Sequence, residues 1–233
     1  MKTSSIISSG IIAIGLLSLG LCLKSGLNSF STRDRVVDVR GLAEREVNAN
    51  KVTWPIVFKE VGNDLPTVYA KVSSTNQEIV SFLKANGISD AEISTSAPEV
   101  ENLQANRYNS NPVPYNYSVQ SVVTVSSNKV TEVHNLINRQ GELLSKGIAI
   151  TSSYQYQTTY DYTDLNSIKP EMIAEATKNA REAAKKFADD SDSHIGKIKT
   201  ARQGQFTIEN RDEFTPFIKK VRVVTSLTYY LED

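Results

Sequence analysis

The sequence predicts an α+β domain, mainly antiparallel sheet with three packed helices in the order ββαββαβαββ, preceded by one N-terminal transmembrane helix. Three observations carry this reading. Stretches rich in Val, Ile, Thr and Tyr alternate apolar and polar residues with period two, as half-buried strands do. Three other stretches place apolar residues at helical spacing and close on turn residues. Finally, residues 6–23, opening on Ile6 and closing on Leu23, contain no charge, and 18 such residues are just enough to span a bilayer as a helix.

Taken in order, residues 1–5 are a short tail with Lys2, and residues 6–23 read as a membrane-spanning signal anchor. Their length exceeds the apolar core of an ordinary cleaved signal, and no small-x-small cleavage site precedes Ser31. Lys24, Arg33, Arg35 and Arg40 after the span would keep the domain cytoplasmic by the positive-inside rule, whereas a lysine-led N-terminal apolar segment ordinarily exports the chain attached to it. Residues 24–34 form a polar linker, and residues 35–233 form the folded domain.

Within that domain, residues 36–47 and 52–61 read as a hairpin turning at residues 48–51, with Val52, Trp54, Ile56 and Phe58 on its buried face. Gly41 is expected to allow a bulge, shifting parity so that Glu44, Arg45 and Glu46 reach the exposed end. Pro55 then implies an edge position, or a nitrogen that faces no partner. Asp64 and Pro66 open a helix burying Val68, Val72, Ile79, Phe82 and Leu83, and Asn86-Gly87 closes it with a left-handed cap. Residues 91–103 and 115–126 are strands flanking an Asn- and Pro-rich loop over residues 102–116. Asn128 starts a second helix, with Val130, Val133, Ile137 and Leu144 inward, which Gly147 stops. Residues 148–161 form a strand. Ser167 and Pro170 open a third helix whose inner stripe of Met172, Ile173, Ala176, Ala180, Ala183, Ala184 and Phe187 suits close approach to a sheet. Residues 195–208 and 218–231 are the last strands. Helix, turn and strand recur in "FLKANGISDAEIST" and "FADDSDSHIGKIKT", the trace that two similar halves would leave.

Several function classes find no support in the residues. Lys plus Arg equals Asp plus Glu at 26 each, without the basic excess of a nucleic-acid binder. Lys185-Lys186 and Lys219-Lys220 read as solvated surface. The one cysteine, Cys22, lies in the apolar segment, so the domain has no disulfide and no thiol chemistry. Phosphate-binding glycine loops and the G-x-S-x-G elbow are absent. His134 and His194 are the only histidines, placed at a helix edge and a turn, and Asp189, Asp190, Asp192 and His194 lack a full calcium-loop pattern. Glu99 and Glu101 share a strand face, a common surface pairing. No catalytic residue, cofactor or metal site is predicted.

Tyrosine is the more informative residue. Tyr154, Tyr156, Tyr160 and Tyr162 share one parity, so an unbroken strand would project them to one face. Tyr108, Tyr115 and Tyr117 lie around the long loop. Together these seven are the candidate interaction surface, since tyrosine is enriched where one side of a contact is apolar and the other wet.

"VVDVRGLAEREVNANKVTWPIVF" resembles the opening of SIMPL-domain proteins, and "AREAAKKFADDSDSHIGKIKTARQG" resembles their Ala-rich helix, turn and Gly-Lys-Ile strand. With "FLKANGISDAEIST" the resemblance covers about residues 35–231. It departs from the family pattern where Ala43 replaces a second glycine and Asn50-Lys51 replaces Pro-Asp. The resemblance implies an α+β extracytoplasmic protein of the cell envelope, tethered or secreted. Some members form ring-like oligomers, some are associated with envelope or oxidative stress, and the family has no catalytic residues to transfer. The resulting expectation is a non-enzymatic, membrane-anchored, homo-oligomeric scaffold with its C-terminal domain outside the cytoplasm, periplasmic where there is a periplasm, and with envelope proteins as partners. The alternative is an extracytoplasmic ligand- or protein-binding module using the tyrosines and the 102–116 loop.

Overall fold

The computed structural model describes residues 15–24, 35–105 and 114–232. Residues 15–24, which include the second half of the expected span, are helical and exposed, and residues 6–14 lie outside the described residues. No helix among the described residues is long and apolar enough to cross a membrane.

The domain is α+β, with two largely antiparallel sheets. Its elements run β1 (Val36–Asn48), β2 (Lys51–Gly62), α1 (Leu65–Ala85), β3 (Ile93–Thr95), β4 (Glu99–Asn102), β5 (Tyr117–Ser127), α2 (Val130–Asn138), α3 (Gly141–Ser145), β6 (Thr159–Asp161), α4 (Leu165–Asp190), β7 (His194–Gln203), β8 (Thr207–Asn210) and β9 (Ile218–Glu232). One sheet has the order β1-β9-β7, with β8 also on β9; the other has the order β3-β5-β2-β6, with β4 also on β5. The chain forms two compact units, neither a continuous stretch. The first comprises residues 1–45, 166–207 and 221–233, and the second comprises residues 46–165 and 208–220.

The expected β1–β2 hairpin does not form, because β1 pairs β9 while β2 pairs β5 and β6. Alternation tells which side chains face inward but not which strand lies alongside. Nor is there a bulge at Gly41. Val39, Gly41 and Ala43 are buried and Asp38, Arg40, Leu42, Glu44 and Glu46 exposed, so parity continues unbroken. The glycine serves a close approach instead. A Cβ at Gly41 would overlap the Ala176 carbonyl and the Ala180 nitrogen of α4 and lie 2.9 Å from the Ala180 Cα. The three charges after it have partners: Arg45 meets Glu171 at 2.8 Å, Arg222 meets Glu44 at 3.5 Å and Arg211 meets Glu46 at 3.5 Å. Exposed as they are, such pairs contribute little individually.

In the first unit α4 packs a stripe of Met172, Ala176, Ala180, Ala184 and Ala188, all fully buried, toward the sheet. Val39, Leu227 and Tyr229 supply the sheet side of that core. The stripe advances by fours, so Phe187, expected inside, turns out and is 60% exposed. Pro170 sits within α4, which begins earlier than expected, at Leu165.

The second unit packs α1 on β2 and β5 with larger side chains. Its core includes Ile56, Phe58, Ile79, Leu83, Val119 and Val123. The inner face of α1 is the one its spacing predicts. Asp64 caps the helix by accepting from the Thr67 amide at 3.0 Å. Asn76 exchanges two hydrogen bonds of 3.1 Å with the buried Ser121 hydroxyl, satisfying a polar group on the inner face of β5. The single second helix expected from sequence is broken at Arg139-Gln140 into α2 and α3; the break changes the helical phase, so Leu143 is buried and Leu144 is 53% exposed.

Three helices end alike. The amide of Ile88 reaches the carbonyl of Leu83, that of Ile148 reaches Leu143 and that of Ser193 reaches Ala188, each six-residue loop containing a residue of positive φ. Gly87 supplies that conformation as predicted, Gly147 supplies it where it was expected to stop its helix, and at the end of α4 it falls to Asp192, with φ 51°.

Candidate functional site

The second unit holds a groove of about 640 Å³ beside β2. It exists because the strand expected over residues 148–161 does not form. Ile150 makes a single bridge to Phe58, pairing resumes only at Thr159 opposite Thr53, and residues 151–158 loop away from β2. Pro55 pairs with Thr124 of β5 on one side, and on the other side β2 has no partner at this position among the described residues. The expectation of a nitrogen that faces no partner therefore holds, although β2 is not an edge strand along its whole length. Its nitrogen explains the gap. The Val57 carbonyl accepts from the Thr151 amide at 2.7 Å, so in a regular strand Pro55, two residues earlier, turns its nitrogen to the same side. There it has no N–H to offer, and the flanking segment leaves the strand.

Trp54, Ile137, Leu144, Ile150, Tyr154 and Tyr156 supply the apolar and aromatic surface of the groove. Gln140 and Gln157 add amides, and residues 151–153 with Thr158 add hydroxyls. No lining side chain is charged. Trp54 is 3% exposed and forms the floor, while Tyr154 stands 94% exposed at the rim.

The predicted tyrosine face is not assembled, because the strand that would align it is missing. Tyr154 and Tyr156 join the groove. Tyr160 is buried, where burial raises its pKa, and its hydroxyl lies 2.9 Å from His134 Nδ1; Phe217 packs against both rings. Tyr162 and Tyr117 are half-buried and Tyr115 is exposed. Tyr108 lies outside the described residues.

A second depression, of about 490 Å³, lies in the first unit on β1, β9 and β7. Across it Thr200 donates to Thr228 at 2.8 Å and Thr228 donates to Asp38, with Arg40 and Arg202 alongside. The outer edge of β7 carries no strand among the described residues. None of its ten residues is buried, and Lys197, Lys199 and Arg202 are exposed along it.

Two polar residues depart from the sequence expectation. Lys219, expected on a solvated surface, is buried; it donates to Asn210 Oδ1, and burial lowers its pKa while Asp161 partly offsets that. Glu92, to which sequence reasoning gives no role, gathers the Ser127 hydroxyl at 2.6 Å, the Ser89 amide at 2.9 Å and hydroxyl at 2.7 Å, and Lys129 Nζ at 3.2 Å. Those donors pull its carboxyl down to about 2. The S-x-x-E spacing of Ser89 and Glu92 is the capping-box signal that could have found it. Among the described residues, no three of His, Cys, Asp and Glu are grouped to hold a metal.

The geometry thus defines a two-unit α+β protein with an uncharged groove and an open basic sheet edge. The chain belongs to the SIMPL family, DUF541, described as proteins of unknown function, whose model matches residues 37–222. Among curated proteins, none matches its sequence.

Proposed function

We propose that this is a non-enzymatic, membrane-anchored envelope protein whose extracytoplasmic domain assembles with copies of itself through the open edge of β7. The observation that carries this reading is that edge: ten residues with no strand alongside on one side among the described residues, bearing Lys197, Lys199 and Arg202. Unpaired strand edges are templates for further pairing. The chain also presents a complementary edge, since all four residues of β4 are exposed and include Glu99 and Glu101. Pairing of β7 from one copy with β4 of the next is head-to-tail, the type of contact that closes into rings or extends into filaments. The anchor at residues 6–23 would hold the assembly at the cytoplasmic membrane. Sedimentation velocity on the full chain in detergent is expected to show a species of several copies; a monomer at micromolar concentration rejects the reading. A reporter fused to the C-terminus is expected to be active only if it matures outside the cytoplasm.

The groove beside Trp54 favours a second reading, in which the domain is a ligand-binding module. Its volume falls in the range of roughly 300–1,000 Å³ usual for ligand sites. Ligand-dependent thermal stabilisation of the full chain tests it.

A further inference from the structure

We propose that the groove beside β2 binds a neutral saccharide chain, an inference that rests on the binding-module reading. The choice of ligand comes from the groups the groove offers and those it withholds. Its lining carries no charge, so a phosphate, carboxylate or ammonium group would give up its hydration without gaining a counter-charge. An extended peptide ordinarily binds beside a strand by pairing with its backbone. Here that backbone has little to give. Pro55 has no N–H, the Val57 carbonyl already accepts from Thr151, and Thr53 is paired with Thr159 of β6. Recognition must therefore come from side chains.

The side chains present suit sugar rings. Tyr154 and Tyr156 offer aromatic surface for the apolar C–H face of a pyranose, which stacks flat on such rings. The Gln140 and Gln157 amides and the neighbouring hydroxyls both donate and accept, matching ring hydroxyls, which do the same. Tyr154, nearly free of contacts, can swing onto a ligand without breaking the core.

The protein contains one tryptophan, Trp54, in the groove floor, so intrinsic tryptophan fluorescence reports on this site alone. The full chain in a sugar-free detergent is titrated with cellotetraose, with tetra-N-acetylchitotetraose and with an uncharged Gly/Ser/Pro octapeptide. The proposal expects a saturable change in Trp54 emission with at least one saccharide and none with the peptide. Tyr154→Ala and Gln157→Ala should each raise its Kd roughly tenfold, and Lys186→Ala, exposed on α4 and outside both the groove and the strand edges, should leave it unchanged. Equal saccharide binding by the groove variants overturns the assignment. Saturation by the peptide alone also overturns the saccharide but keeps the binding-module reading; no saturable change with any probe overturns both.

Discussion

The two units bury different kinds of side chain. In the first, α4 lays a stripe of alanines against Val39, Gly41 and Ala43 of β1, so backbone approaches backbone. In the second, α1 stands off β2 and β5 on Phe58, Ile56, Ile79 and Leu83. Both arrangements exclude water, but they fail differently. A core of large side chains is vulnerable to removal of atoms, and a core of small ones to their addition.

The sharpest form of this comparison is a pair of substitutions. Phe58→Ala in the second unit should cost about 4 kcal/mol by urea denaturation, from lost burial and the cavity left behind. Gly41→Ala adds a single methyl and should still cost about 2 kcal/mol, because that methyl meets helix backbone rather than a movable side chain. A neutral Gly41→Ala would mean that α4 can recede, and the contrast between the units would fail.

Polar groups sharpen it further on the side of the second unit. Glu92→Gln should cost about 1.5 kcal/mol by weakening hydrogen bonds to a charged acceptor. Because folding depresses the carboxyl of Glu92 from 4.5 to about 2, its contribution is complete above pH 4.5 and is lost as pH falls toward 2. The wild type should therefore lose more stability than the variant across that window, measured as urea midpoints at several pH values. Tyr160→Phe, which removes only the hydroxyl bonded to His134, should cost about 1 kcal/mol in the same assay.

How much of this is legible in the sequence depends on whether the signal is local. The buried face of α1 follows from its spacing, and Gly87 and Gly147 mark helix ends because few other residues take a positive φ. The alanine stripe of α4 signals close packing, yet Gly41 reads as a bulge, because what a glycine makes room for lies far away in the chain. Strand partners are equally remote: β1 and β2 adjoin in sequence and pair in different sheets. Tyrosine parity over residues 154–162 presumes a strand, and the gap opposite Pro55 dissolves it, leaving Tyr154 exposed and Tyr160 in the core. Of the candidate surface, Tyr154 and Tyr156 reach the groove, whose floor, Trp54, reads from sequence as core alone. Lys219 escapes sequence reasoning because a lysine pair looks solvated until tertiary structure covers one member.

The same contrast of edges underlies the proposed assembly, with β7 basic and β4 acidic. The most direct test is a charge exchange on the full chain, followed by sedimentation velocity. Lys197→Glu with Lys199→Glu should dissociate the oligomer, and adding Glu99→Lys with Glu101→Lys to the same chain should restore it. An oligomer indifferent to the first pair, or a monomeric wild type, would contradict assembly through these edges.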